Sequence, residues 1–136
     1  IGYHVADYIA HWLKIGKKTS ADKLPKIFYV NWFRRSKDGS FLWPGYGENS
    51  RILKWAIERI EGKASAVETP LGFAPAPGSL DMEGVAISQE QINEALHVDS
   101  DEWRAEIPLI EDWFNQIGPK LPKEMRDQFA HLQAAI

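Results

Sequence analysis

The sequence predicts an α/β fold that is mostly helical and contains a few strands. Helical periodicity of apolar residues recurs in five segments, which begin near residues 3, 49, 88, 100 and 122. A compact run of β-branched and aromatic residues at 27–30 predicts a strand, and its unbroken apolar character predicts burial on both faces. Closely spaced prolines and glycines at 63–87 predict an irregular crossing, with short extended pieces at 69–73.

The first two predicted helices have a boundary signal beside an apolar stripe. Gly16 is placed to cap the end of the helix at 3–15. Asn49 or Ser50 is predicted to cap the start of the second helix, which Gly62 ends. The expected inward residues are Val5, Tyr8, Ile9, Trp12 and Leu13, then Ile52, Leu53, Ala56, Ile57 and Ile60.

Residues 88–136 predict three further helices. Ser88 and Gln91 have the spacing of a capping box at the start of the first. Pro108 falls inside the second and is expected to kink or break it. Pro122 opens the third at a position that favours proline.

Composition excludes several classes of protein. The net charge of −3 argues against a dedicated nucleic-acid-binding protein, which is normally basic. No apolar run approaches the ~20 residues of a membrane span, and the absence of cysteine excludes disulfides and thiolate metal sites. These features suit a reducing cytoplasm. Because the chain starts at Ile1 and its only methionines are Met82 and Met125, we expect it to begin inside a longer polypeptide.

The segment at 31–50, here called the aromatic segment, is the most informative part of the sequence. Asp38-Gly39 is a strong hairpin-turn signal, and it would bring two aromatic arms, 32–33 and 41–43, face to face. A short strand is also predicted at 41–43. The rings of the segment are those of Trp32, Phe33, Phe41, Trp43 and Tyr46.

Three interpretations of this segment are open from the residues alone. Clustered rings commonly form a hydrophobic core. They also form platforms for proline-rich peptides or single-stranded nucleic acid. The third interpretation is a purine pocket, favoured by Gly45 and Gly47, because glycines let a ligand approach the main chain closely. A helix beginning at 49 would also direct free N–H groups toward such a ligand.

The residues of this segment resemble a known family. Phe33-Arg34-Arg35, then Asp38-Gly39, then the run 41–51 look like the C-terminal signature of GTP-dependent phosphoenolpyruvate carboxykinase. The similarity is close over residues 3–85 and looser in the terminal helices. The chain is thus expected to be the C-terminal portion, 1–136, of a GTP-binding domain in that fold.

The resemblance implies an enzyme of gluconeogenesis. The family converts oxaloacetate and GTP to phosphoenolpyruvate, GDP and CO2, and it needs Mn²⁺ together with a nucleotide-bound Mg²⁺ or Mn²⁺. We expect a cytoplasmic monomer that binds neither nucleic acid nor membrane. The runner-up interpretation is a stand-alone, noncatalytic purine- or peptide-binding module.

The resemblance also implies roles for individual residues. The rings matching Phe33 and Tyr46 sandwich the guanine, although family members more often have Phe at the position of Tyr46. The ring matching Phe41 forms a further wall, and Trp32 lies beside it. The segment from Tyr46 through Gly47 and Glu48 to Asn49 lines the base edge. Asn49 is the candidate for reading guanine, because its amide supplies a donor and an acceptor; we expect it to distinguish GTP from ITP.

The chemistry of the reaction is expected to lie outside these residues. No Gly-x-x-x-x-Gly-Lys-Ser/Thr sequence occurs here. The family's phosphate-binding loop, manganese ligands, oxaloacetate-binding arginine and mobile lid lie upstream of the matching region. We therefore assign no catalytic residue and no metal ligand to this chain, and we expect the chain alone to be inactive.

Overall fold

A computed structural model describes residues 2–136 and contains five α-helices and one two-stranded β-sheet. The residues divide into two compact units: the described part of 1–25 together with 99–136, and residues 26–98. The helices are α1 (Val5–Gly16), α2 (Asn49–Ile60), α3 (Gln89–Leu96), α4 (Ser100–Ile117) and α5 (Lys123–Ala135). The strands are β1 (Ala66–Thr69) and β2 (Gly72–Pro75). The prediction of a mostly helical chain is confirmed.

The first unit packs α1, α4 and α5 around a small apolar core. Its buried residues are Ala6, Phe114, Ile117 and Leu121. The predicted stripe of α1 is only partly inward, because Tyr8 and Trp12 are 41% and 59% exposed. Gly16 belongs to the helix and Lys17 is the cap residue, so the predicted end of α1 was one residue early.

Helix α4 continues through Pro108, which was expected to kink or break it. Asp99 caps its start by accepting from the backbone N–H groups of Asp101 and Glu102. Pro108 lies inside the helix, which runs on without a break to Ile117. Burial of the turns beyond the proline explains why the helix continues, since Phe114 and Ile117 belong to the core of the unit.

The second unit contains α2, the hairpin β1–β2 and α3. Leu42, Trp55 and Ile92 are its buried apolar residues. The Trp55 indole N–H donates to the Ser65 carbonyl at 3.3 Å and to Ser79 Oγ at 3.2 Å, so the buried ring keeps its polar atom satisfied. The capping box predicted at the start of α3 is confirmed.

The strand predictions were largely wrong. Residues 27–30 belong to no strand, and Ile27 and Tyr29 are 84% and 92% exposed. Within residues 2–136 the sheet has two strands, β1 and β2, so no neighbour is present to take up the hydrogen bonds of this segment. Residues 41–43 form only an isolated bridge, between Arg35 and Phe41. Of the extended pieces predicted at 69–73, Thr69 ends β1 and Gly72 and Phe73 begin β2, whereas residues 70 and 71 form the turn between the strands.

Helix α2 starts as predicted, but its N-terminal cap and buried face differ. Glu48 occupies the cap position without a capping side chain, and Asn49 is the first helical residue. Trp55 is the buried side chain of the helix. Leu53, Ile57 and Ile60, which were predicted to be inward, are 57–60% exposed. The helix therefore has an apolar face that nothing in the described chain covers.

Candidate nucleotide-binding site

The predicted hairpin in the aromatic segment is confirmed. The Gly39 N–H donates to the Ser36 carbonyl at 2.9 Å, and Gly39 has φ 86°, which L-residues rarely adopt. The Ser36 N–H donates to the Ser40 carbonyl at 2.9 Å, and the Leu42 N–H donates to the Arg34 carbonyl at 3.0 Å. The two arms of the hairpin are thus held by main-chain bonds.

Asp38 stabilises the tip of this hairpin. Its carboxylate accepts from the Ser36 hydroxyl, from the Ser40 N–H at 3.0 Å and from the Ser40 hydroxyl at 2.7 Å. These bonds, the one from Ser36 foremost, lower the pKa of Asp38 from 3.8 to about 2. The charged carboxylate is therefore part of the turn.

The hairpin pairs the aromatic side chains of its two arms. Phe33 meets Phe41 edge to face, with centroids 6.2 Å apart and ring planes at 65°. Trp32 meets Trp43 at 5.9 Å and 47°. The Arg35 guanidinium lies 3.9 Å from the centroid of Phe41. Despite these contacts, Phe33 is 74% exposed, so most of its surface is free to bind a ligand.

A short 3₁₀ turn, Tyr46–Glu48, joins the hairpin to α2. Gly45 precedes it with φ 125°, a conformation that requires glycine. Tyr46 is 92% exposed. A β-carbon placed on Gly47 would meet no atom of the described residues within 4 Å, so the main chain is open to solvent there.

Arg51 fixes this turn from one side. Its Nε donates to the Glu48 carboxylate at 2.5 Å. Its other nitrogens donate to the main-chain carbonyls of Asp81 at 2.7 Å and Glu83 at 2.9 Å. Lys54 also binds the Asp81 carboxylate at 2.6 Å, and this hydrogen bond lowers the pKa of Asp81. One guanidinium thus ties the turn to the segment 81–83.

Two further side chains attach the hairpin to its surroundings. The Trp43 indole N–H donates to Asn49 Oδ1 at 2.8 Å, which links the second arm to the start of α2. The Arg34 guanidinium donates to the carbonyl of Ala95 at 3.2 Å and to that of His97. Both carbonyls lie at the end of α3 and lack helical partners, so Arg34 satisfies them.

Contacts join some of the residues predicted for the site: Phe33 meets Phe41, and Trp32 meets Trp43, which binds Asn49. Trp32, Phe33 and Phe41 lie on the paired arms of the hairpin. Tyr46, Gly47, Glu48 and Asn49 form the adjoining turn and the first helical residue.

Sequence reasoning missed three residues that hold this arrangement, namely Arg34, Trp43 and Arg51. In the sequence, Trp43 counted only among the rings, and Arg34 and Arg51 only within the run that resembles the family. Their partners lie up to 63 positions away in the chain, and helical or strand periodicity carries no information about such contacts.

The site contains no metal-binding cluster. Within residues 2–136, nowhere do three His, Asp or Glu side chains come together as metal ligands would. Each helix in this part of the chain is also too short or too polar to span a bilayer.

Comparison with known proteins identifies the family. Residues 1–135 match the model of the phosphoenolpyruvate carboxykinase C-terminal P-loop domain. The chain therefore belongs to the family of GTP-type phosphoenolpyruvate carboxykinases.

Three of its curated relatives carry the name phosphoenolpyruvate carboxykinase [GTP]. The protein from Renibacterium salmoninarum is 53% identical over 136 residues, which is 100% of this chain and 22% of that protein. The protein from Arthrobacter sp. is 49% identical over 133 residues, again 22% of its length. That from Paenarthrobacter aurescens is 47% identical over 136 residues. The chain thus spans 22% of the length of these relatives.

Proposed function

We propose that this chain forms the guanine-binding part of a GTP-dependent phosphoenolpyruvate carboxykinase. The whole enzyme converts oxaloacetate and GTP to phosphoenolpyruvate, GDP and CO2, as a cytoplasmic monomer of gluconeogenesis. The observation that carries the proposal is a pair of exposed rings, Phe33 and Tyr46, on a hairpin and turn that are otherwise tied down by hydrogen bonds. Membership of the family supports guanine as the ligand.

In this proposal the base lies between Phe33 and Tyr46. An aromatic face that is 74% or 92% exposed loses hydration when a purine stacks on it, and stacking of this kind contributes about 1–3 kcal/mol per base. Phe41 supports Phe33 edge to face and forms a further wall, with Trp32 beside it. The main chain near Gly47 and the side chain of Asn49 follow the edge of the base.

The chain contributes by holding the nucleotide, and the phosphates and metals are handled elsewhere. The residues present do not fit a metal site, so we propose that the ligands of Mn²⁺ and of the nucleotide-bound Mg²⁺ lie outside these 136 residues. Phosphoryl transfer depends mainly on positioning and electrostatics. When the base is held in one position, the ribose and phosphates attached to it are restricted to a small range of positions.

The remainder of the polypeptide is the proposed partner of the exposed apolar surfaces. Residues 27–30 are apolar and pair with no strand among the described residues, as expected of a strand whose partners lie elsewhere in the polypeptide. The free face of α2, with Leu53, Ile57 and Ile60, is apolar as well. We propose that both are covered in the complete nucleotide-binding α/β domain.

The proposal is tested by assaying the full-length protein for phosphoenolpyruvate formation from oxaloacetate with GTP, ITP and ATP. We expect activity with GTP and little with ATP, because the pocket is proposed to accept a 6-oxopurine. Equal use of GTP and ATP would contradict the guanine pocket. The stand-alone binding module is not favoured, since relatives named as this enzyme match the whole chain.

A further inference from the structure

A cleft of about 230 Å³ lies in the second unit, between the β1–β2 sheet, the segment that follows β2, and α3. The buried Ile92 and the half-buried Leu96 line it from α3. The half-buried Leu80 and Met82 line it from the segment after β2. Because every lining residue lies between 67 and 97, one compact unit forms the whole cleft.

The lining indicates an uncharged occupant. Charged residues make up 26% of the chain, yet none of the described residues that line the cleft is Asp, Glu, Lys or Arg. An ion would lose hydration in such a place without gaining a partner of opposite charge.

Polar side chains stand at the mouth of the cleft. Gln89, Asn93 and His97 line it from α3 at a spacing of four residues, and all three are exposed, whereas Ile92 below them is buried. An apolar cavity of about 150 Å³ is large enough for benzene. The present cleft therefore suits a somewhat larger aromatic molecule that carries one hydrogen-bonding group.

One wall of the cleft also holds the 3₁₀ turn of the proposed nucleotide site. Arg51 donates to the main-chain carbonyls of Asp81 at 2.7 Å and of Glu83 at 2.9 Å. Leu80 and Met82, which alternate with these two residues, line the cleft. A displacement of this segment would therefore move the carbonyls that Arg51 binds.

A second wall holds the aromatic hairpin in the same way. Arg34 donates to the carbonyls of Ala95 and His97, and Leu96 between them lines the cleft. An occupant packed against both walls adds contacts that keep each of them in one position. Nucleotide then binds to a site whose anchors are already ordered, which favours its binding.

We propose that this cleft is a regulatory site for a small, uncharged aromatic molecule, and that its occupation raises the affinity of the nucleotide site through Arg51 and Arg34. The coupling rests on the proposed function, whereas binding in the cleft does not. Because coupling between two sites is reciprocal, nucleotide must raise the affinity of the cleft by the same factor.

Calorimetric titration of the full-length protein with indole, with and without GDP, tests both parts. Indole is uncharged, aromatic and carries one donor. We expect it to bind without GDP and to lower the Kd of GDP about fivefold at saturation, with the same change in its own Kd when GDP is bound. Benzoate, which is aromatic but charged, should not bind in the cleft.

Ala74→Leu should abolish binding of indole, because Ala74 lines the cleft from β2 and leucine would occupy the space of the ring. Phe73→Leu is the matched control, since its neighbour in the strand points to the opposite face of the sheet and does not line the cleft. It should leave the binding of indole and of GDP unchanged. Should Ala74→Leu fail to fold, a shift of the Met82 methyl resonance on adding indole decides.

Arg51→Lys tests the route of the coupling. It should leave the binding of indole intact and reduce its effect on the Kd of GDP, because lysine cannot hold both carbonyls and the turn. An undiminished effect in this variant would overturn the coupling through Arg51.

Protein that binds GDP but not indole, or that still binds indole in Ala74→Leu, would overturn the regulatory site and leave the proposed function intact. A Kd of GDP that indole leaves unchanged or raises, as competition for Phe33 would, would overturn the coupling. Protein that binds indole but no GDP would overturn the proposed function and the coupling, and the Ala74→Leu variant would still decide whether the cleft is a binding site.

Discussion

Phe41 meets Phe33 edge to face across the hairpin, with ring centroids 6.2 Å apart. The pairing leaves Phe33 largely exposed while restricting where its ring can lie. The Arg35 guanidinium lies 3.9 Å from the centroid of Phe41, so Phe41, which restricts Phe33, is also held in place. A stacking surface held in this way loses little conformational freedom when a base binds.

Phe33→Ala in the full-length protein should weaken use of GTP by about 1–3 kcal/mol, because it removes one stacking face. Steady-state kinetics would show this as a higher KM for GTP with a folded protein. Phe73→Ala is the matched control, since this ring is 64% exposed on β2 and belongs to no part of the proposed site. An unchanged KM in Phe33→Ala would count against the pocket.

Arg51→Lys should loosen the turn Tyr46–Glu48, because lysine keeps the charge but cannot reach the carboxylate and two carbonyls at once. We expect a loss of about 1–2 kcal/mol in stability, discounted for partial exposure of the ion pair. Thermal unfolding and the KM for GTP should change together.

Arg104→Lys provides the comparison for this prediction. Its side chain is 59% exposed and binds only the exposed Asp101 and the main-chain carbonyl of Ile136 at the chain end, so the substitution should have little effect. Equal behaviour of the two variants would mean that Arg51 does not hold the turn.

The hairpin tip should stay ordered in mild acid and open only near pH 2. The pKa of Asp38 lies below its ordinary value of 3.8, so the stability contributed by the charged form is fully present above about pH 4 and lost as the pH falls through about 2. Nuclear magnetic resonance titration of the Asp38 carboxyl carbon would give the midpoint. A midpoint near 4 would show that the bonds to Ser36 and Ser40 do not form in solution.

Ile27→Asp should destabilise the full-length protein by at least about 2 kcal/mol, although Ile27 is 84% exposed in this chain. The reason is the proposed burial of residues 27–30 against the remainder of the polypeptide. Thermal or urea unfolding would measure the loss. Lys26→Asp, at the neighbouring exposed position, should be nearly neutral, and equal effects of the two changes would argue against burial.

Local signals predicted the helices and the hairpin well. The capping box at Ser88 and the Asp38-Gly39 turn depend on bonds between residues a few positions apart, which a sequence displays directly. The strand predicted at 27–30 failed because a strand depends on a partner, and the described chain supplies none. Pro108 does not break α4, since the burial of Phe114 and Ile117 opposes its helix-breaking tendency.

The sequence predicted the aromatic side chains of the candidate site but not the hydrogen bonds that hold the hairpin and the turn in place. Aromatic residues flanking a turn signal indicated the paired arms, and the resemblance to the family supplied their roles. The hydrogen bond between Trp43 and Asn49 could not be deduced, because it depends on the fold bringing the hairpin and the helix together. The sequence assigned that side chain to capping α2, whereas the structure uses its oxygen to accept from an indole.

The bonds from Arg34 to the carbonyls at 95 and 97 impose an order on biosynthesis. A ribosome makes residues 31–43 first and the end of α3 more than fifty residues later. Until α3 has left the ribosome and folded, Arg34 cannot donate to the carbonyls at its end. Completion of the proposed site is thus a late event in translation, and a nascent chain arrested before residue 97 would carry the aromatic rings without the bonds from Arg34.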